Sequence, residues 1–274
     1  MNMTRHFFSM IFLLSMGCAP AEHFVSLENS DAIVGGEITT LKSPVAKYVV
    51  LVIDDDSGSY CTGTLIRANV VLTAAHCLGK RGDGLTLAFG RNPMSGNYIA
   101  RRSAAVVVHP DYKKANSQDP HDLALILIDG SAPHSFAPAK IPDSSFPMQK
   151  NLGFTAIGYG RISGKSPQGI GVLRDTQLKV SHLTQSQKQF YVNQENGKGI
   201  CNGDSGGPAL MRYKGADYIV GVASAIYWTI PSSVRADQRA DYISKKDTCA
   251  EKSIYINLKS HQTWLSQALL QLLN

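Results

Sequence analysis

Ser205 lies in Gly203-Asp204-Ser205-Gly206-Gly207-Pro208, a glycine-bounded turn, and two further motifs precede it in the chain. His76 stands in Thr73-Ala74-Ala75-His76-Cys77, and Asp122 in His121-Asp122-Leu123-Ala124-Leu125. Taken singly, each has an ordinary reading: a turn, a packed histidine, a charge at a strand edge. Together they supply what a serine hydroxyl lacks at neutral pH. A neutral imidazole takes its proton, and a carboxylate holds that imidazole in the right tautomer. A fold that serves this chemistry must bring three distant segments to one point.

Short β-rich runs separated by turn residues fill residues 33–274. They are Val45–Ile53, Thr62–Ile66, Val70–Thr73, Leu85–Phe89, Ala104–Val108, Leu123–Ile128, Phe154–Gly158, Leu178–Val180, Pro208–Met211, Tyr218–Ala223 and Ser253–Asn257. Many such strands indicate a β-barrel or sandwich, and a single all-β unit of this length is ordinary. One helix is expected near the C-terminus. Trp264, Leu265, Ala268, Leu269 and Leu272 share a stripe of 3.6-residue period, with Ser260 as its N-cap. The stripe lacks the basic flank of a membrane-surface helix, so it is read as packing on the body.

The formal charge is +6 over the 274 residues. Without residues 1–32, which hold Arg5 against Glu22, Glu28 and Asp31, it rises to about +8. The bases are scattered, with no arginine-rich run or aromatic platform, which argues against nucleic-acid binding. Arg5, Phe7-Phe8 and Met10–Leu14 read as an export signal over residues 1–20, its apolar stretch too short to span a bilayer. Two processing sites compete. Ala19-Pro20-Ala21 suits ordinary signal peptidase, whereas Ser15-Met16-Gly17-Cys18 resembles a lipoprotein box and would place a lipid anchor on Cys18. The other four cysteines, Cys61, Cys77, Cys201 and Cys249, allow three pairings that spacing cannot decide between. No C-x-x-C spacing favours a metal, and no cofactor is implied.

The order His, Asp, Ser within these motifs resembles the trypsin/chymotrypsin family of serine proteases, over essentially all of residues 33–274. The resemblance implies two packed six-stranded Greek-key β-barrels with a C-terminal helix, the barrels dividing near Ala132–Asp143. It implies Ser205 as nucleophile, His76 as general base and acid, Asp122 as its orienting carboxylate, and Ser224 as support for that aspartate. The N–H groups of Gly203 and Ser205 would form the oxyanion hole, and Gly158-Tyr159-Gly160 resembles the family's Gly-Trp-Gly turn. The implied disulfides are Cys61–Cys77 and Cys201–Cys249. Ile33-Val34-Gly35-Gly36 is similar to the family's activation site. Residues 21–32 would then be a propeptide, and the freed amine of Ile33 would pair with Asp204.

The pocket positions depart from trypsin. Gly199 stands at the floor where trypsin has an aspartate, with Ile200 beside it, while Ile226 and Ser253 replace wall glycines. A buried cation would have no partner there, so small aliphatic side chains are expected at the cleaved position. An insertion over about Tyr227–Thr248 carries Arg235, Asp237, Arg239, Asp241, Lys245 and Lys246, and is expected to form a rim over the cleft. The chain is thus read as an exported, secreted or cell-envelope endopeptidase acting on polypeptides as a monomer. The alternative is a non-catalytic binding protein on the same fold, which would require the insertion to block the cleft.

Overall fold

A computed structural model describes residues 33–40, 43–79, 84–116 and 118–273. The expected signal, the propeptide and Cys18 lie outside them. The strands are β1 (Glu37–Ile38), β2 (Val49–Asp54), β3 (Ser59–Arg67), β4 (Val70–Thr73), β5 (Leu85–Asn92), β6 (Asn97–Val108) and β7 (Ala124–Ile128). There follow β8 (Gly153–Gly158), β9 (Arg174–Lys179), β10 (His182–Leu183), β11 (Gln189–Asn193), β12 (Pro208–Tyr213), β13 (Ala216–Tyr227) and β14 (Lys252–Asn257). Two helices, α1 (Arg239–Lys245) and α2 (Gln262–Leu273), fall near the C-terminus.

β2-β3-β4-β7-β6-β5 close into an antiparallel barrel, and the remaining strands form one sheet in the order β1-β9-β8-β12-β13-β14-β11-β10. Six of that sheet's strands are long and two are two-residue ribbons, at its ends. It is curled: Phe154 on β8, Phe190 on β11 and Tyr255 on β14 meet with ring centroids 5.2–5.8 Å apart. In the closed barrel β4 is buried at every position, and β7 at all but one. Both faces of these strands are covered, so they read as unbroken apolar runs rather than alternating ones.

The handover between the two halves lies where the patterning lapses. Ala139 N–H bonds to Leu65 O in the barrel, and the next residue, Lys140, bonds through N–H to Asp217 O in the second sheet. Helix α2 then returns to the barrel. Trp264, Leu265, Ala268 and Leu272 join its core, so the apolar stripe packs on protein.

Several local expectations shift. The run from Val45 begins as a 3₁₀ turn at Ala46–Tyr48, and the strand starts at Val49. β9 occupies Arg174–Lys179 rather than Leu178–Val180. β11, not anticipated, is a five-residue strand whose polar ends hide its alternation. Ser260 does not cap α2. Its hydroxyl donates to Gln187 O at 2.7 Å, and the helix is led by a 3₁₀ turn, Leu258–His261, in which Lys259 N–H donates to the Asn257 side chain.

Candidate functional site

His76 sits on a 3₁₀ turn, Ala75–Cys77, directly after β4. The Cys61–Cys77 disulfide ties that turn to β3, and Cys201–Cys249 joins the segment before Ser205 to the one before β14. Both pairings implied by the resemblance are formed. Asp122 lies just ahead of β7, which pairs with β4, so the ladder itself brings the two residues together. One carboxylate oxygen, Oδ1, accepts His76 N–H at 2.9 Å. The other, Oδ2, lies 2.7 Å from His76 Nδ1 and accepts the Ser224 hydroxyl at 2.6 Å. The Asp122 side chain is 5% exposed and that of His76 35%. A buried carboxylate with three donors is a fixed acceptor, and His76 turns its other ring nitrogen, Nε2, away from it, with a long contact to Cys77 Sγ at 3.9 Å.

Ser205 shares one cleft of about 400 Å³ with His76, Asp122 and Ser224. Among the described residues no hydrogen bond joins Ser205 Oγ to His76, a common state of such pairs without substrate. The turn carrying Ser205 is pinned on all sides. Ser205 O accepts Thr62 N–H at 2.8 Å, Gly206 N–H bonds to Ala223 O, and Gly207 N–H bonds to Asp204 O. Gly206 has φ +80°, and a Cβ there would lie 2.1 Å from Thr73 Oγ1, so this position needs glycine twice over.

The peptide planes on either side of Gly203 (φ +99°) are likewise held. Asn202 O accepts Arg161 N–H at 2.9 Å, and Gly203 O accepts the Thr62 hydroxyl at 2.9 Å. In a trans peptide N–H and C=O point oppositely. Tying Asn202 O on one side therefore turns Gly203 N–H the other way. Among the described residues, neither Gly203 N–H nor Ser205 N–H has an acceptor within the protein.

Asp204 lies beneath this turn, fully buried. Gly160 N–H and Cys201 N–H bond to its two oxygens at 2.7 and 2.8 Å. Burial pushes its carboxyl up to about 7, against those two amides and the nearby charge of Arg174. Ile33 is also fully buried, with φ +48°, and Val34 pairs with Gly199.

The pocket positions divide. Ile200 and Ile226 line the cleft, but Gly199 and Ser253 are buried behind it and do not. What covers Gly199 is Gln194, a residue the sequence reading overlooked. Its side chain accepts Ile200 N–H and donates to Ile200 O and Cys249 O, at 2.6–3.0 Å. A Cβ on Gly199 would lie 2.1 Å from its Cδ. Tyr112, Lys114 and Asn116, also unforeseen, line the cleft from the loop before Asp122. Burial, then the charges of Asp122 and Asp119, push the Tyr112 phenol up to about 12.

The insertion is no rim over this cleft. None of its residues lines it, and its acids are engaged elsewhere. Asp247 accepts Ser163 Oγ and Gly164 N–H, Asp237 pairs with Arg235, and Asp241 with Lys245. Lys246 pairs with Glu251 at the base. Cys61, His76 and Cys77 lie close enough to suggest a metal, but the two sulfurs are joined in the disulfide and offer no thiolates.

The family profile described as Trypsin matches residues 33–235. The chain is 29% identical to cathepsin G of Mus musculus over 204 residues, covering 68% of this chain and 76% of that protein. It is 30% identical over 206 residues to trypsin of Saccharopolyspora erythraea, covering 70% and 86%. To chymase of Rattus norvegicus it is 28% identical over 218 residues, covering 74% and 83%. Two barrel-like halves, a helix returning to the first of them and a cleft where these motifs meet agree with that likeness, and the chain belongs to the trypsin family as a serine-type endopeptidase.

Proposed function

We propose that Ser205, His76 and Asp122 are the catalytic triad, with Gly203 N–H and Ser205 N–H as the oxyanion hole. The observation that carries this is the doubly bonded Asp122, which holds His76 beside Ser205 in one cleft. Ser205 Oγ attacks the scissile carbonyl carbon while its proton passes to His76 Nε2. Asp122 steadies the imidazolium without taking the proton, and the two free amides bind the oxyanion. Collapse breaks the C–N bond as the leaving amine takes the proton from His76, giving an acyl-enzyme. Water repeats the sequence to release the acid and restore Ser205. The test is active-site labelling with an organophosphonate: wild-type protein is labelled on Ser205, and His76→Ala is labelled far more slowly. Equal labelling of both would defeat the assignment.

Small aliphatic residues are the proposed preference at the cleaved position. Ile200 and Ile226 line the pocket, and the acid that lines it among the described residues, Asp122, is taken up by His76 and Ser224, which leaves a lysine or arginine without a partner.

The protein is proposed to be made as a zymogen, cut between Ala32 and Ile33. Two features of the uncut chain support this. Asp204 is buried, hydrogen-bonded to two backbone N–H groups and with the charge of Arg174 nearby, and an incoming ammonium would further offset its desolvation. Ile33 is a β-branched residue held at φ +48°, a conformation costing about 1–2 kcal/mol. That torsion includes the carbonyl carbon of Ala32 and ceases to exist once the bond is cut. Residues 1–20 are proposed to direct export and 21–32 to be the propeptide. Release to the medium follows processing by ordinary signal peptidase at the Ala19-Pro20-Ala21 pattern, and retention on the envelope follows lipidation of Cys18. The two disulfides suit an oxidising compartment. The active form is proposed to be a monomer.

A further inference from the structure

We propose that Thr62 is a positioning residue for the oxyanion hole, acting through its side-chain hydroxyl; the inference rests on the assignment of Gly203 N–H to that hole. Thr62 belongs to β3 of the closed barrel, whereas Gly203 and Ser205 belong to the other half. Its hydroxyl is used in both directions. It donates to Gly203 O at 2.9 Å and accepts Tyr159 N–H at 3.1 Å. The backbone of the same residue donates to Ser205 O and accepts the Thr73 hydroxyl at 2.9 Å. One residue thus grips the turn at Gly203 through its side chain and at Ser205 through its main chain.

Glycine makes the grip matter. Gly203 at φ +99° has no Cβ to restrict it, so its flanking peptide planes turn freely unless something holds them. The plane after it is fixed at both ends, by Thr62 at its carbonyl and by Asp204 N–H bonded to Cys201 O at 3.0 Å. The plane before it carries the oxyanion donor and is tied at Asn202 O by Arg161. Release of the Thr62 bond leaves the plane after Gly203 held only by Asp204 N–H and gives the Gly203 carbonyl room to swing, which loosens the aim of the donor. The hydroxyl has little room to be replaced by another group. A Cβ on Gly158 would lie 3.1 Å from Thr62 Oγ1, and one on Gly207 3.1 Å from its Cγ2. Preorganised donors contribute most when nothing must reorient as charge develops, so the expected loss falls on kcat.

The experiment compares Thr62→Val, which keeps the shape and removes the hydroxyl, with Thr62→Ser, which keeps the hydroxyl. Rates are expressed per active site titrated with an organophosphonate, so unfolded molecules do not enter. Thr62→Val is expected to lower kcat about 10–100-fold with KM within about twofold, and to weaken a peptidyl boronate by a similar factor. Thr62→Ser should return kcat to within about threefold of wild type. If Thr62→Val yields no folded protein, Thr62→Ala takes its place with the same expectation. A kcat per titrated site unchanged in the hydroxyl-free variant, a loss confined to thermal stability, or a Ser variant as impaired as Val would each overturn the proposal. A wild-type protein that no phosphonate labels on Ser205 would instead overturn the triad assignment on which it rests.

Discussion

Ser224 Oγ donates to Asp122 Oδ2 at 2.6 Å, across the boundary between the closed barrel and the second sheet and over 102 residues of sequence. The same oxygen faces His76 Nδ1, so Ser224 decides how the carboxylate is turned toward the imidazole. Ser224→Ala removes a charge-assisted bond of about 1.5–3 kcal/mol and leaves Asp122 one donor short. We expect kcat/KM to fall about 10-fold or more, with KM little changed, in steady-state assays on a peptide substrate. An unaltered kcat would show that the bond is idle.

Ser205→Ala is expected to lower kcat by about 10⁴–10⁶ while leaving the far-UV spectrum and both disulfides intact. His76→Ala should cost about as much, and the double variant no more than either alone. Near-normal turnover in the serine variant would place the chemistry elsewhere.

Ile226 lines the pocket and pairs across the ladder with Ser253. Wild-type enzyme should favour alanine and valine at the cleaved position and handle lysine and arginine poorly. Ile226→Gly should raise kcat/KM for leucine or phenylalanine by about 10–100-fold, the discrimination that a few methylenes of pocket volume provide. A peptide-library profile dominated by arginine would contradict this reading.

The bond before Ile33 follows alanine, which matches the preference proposed for the cleaved position, so self-activation is expected. The Ser205→Ala precursor should keep its propeptide, residues 21–32, when expressed alone, and added active enzyme should cut it to begin at Ile33. N-terminal sequencing decides. Complete conversion of the dead precursor on its own would rule out self-cleavage, and a mature wild type beginning elsewhere would rule out the zymogen site.

Asp204 gives the uncut chain a pH dependence of defined sign. Its folded value is raised to about 7 from an ordinary 3.8, so between those values the native state holds a proton that the unfolded state has lost. Stability contributed at this site therefore falls as pH rises from about 4 to about 7, by about 1.4 kcal/mol per pH unit at most. Denaturant titration of the uncut Ser205→Ala protein should show that slope, and Asp204→Asn should flatten it. After cleavage the amine of Ile33 should pull the carboxyl down and remove the slope. A cut and an uncut protein with the same profile would exclude that pairing.

The amino-acid sequence by itself determined the motifs on which the proposed triad rests. Glycine-bounded turns and short apolar strands are local signals, set by φ and by alternation, so the motifs around His76, Asp122 and Ser205 and an all-β unit of barrel or sandwich type were legible without coordinates, and the barrels came through the family resemblance. Cys61–Cys77 and Cys201–Cys249 were legible through the likeness those motifs carry, since spacing left three pairings open. Only the tertiary structure decided which side chains face the cleft. Gly199 and Ser253 read as floor and wall by position, but Gln194 is folded over the first, and the second is fully buried beside Ile226, its partner across the ladder. The charged insertion likewise read as a rim, yet its acids turn to partners of their own and to Ser163 and Gly164. Thr62 has no local mark at all. Its role comes from a strand and a turn 141 residues apart that meet at one hydroxyl, a contact made by packing the two halves together rather than by any pattern along the chain.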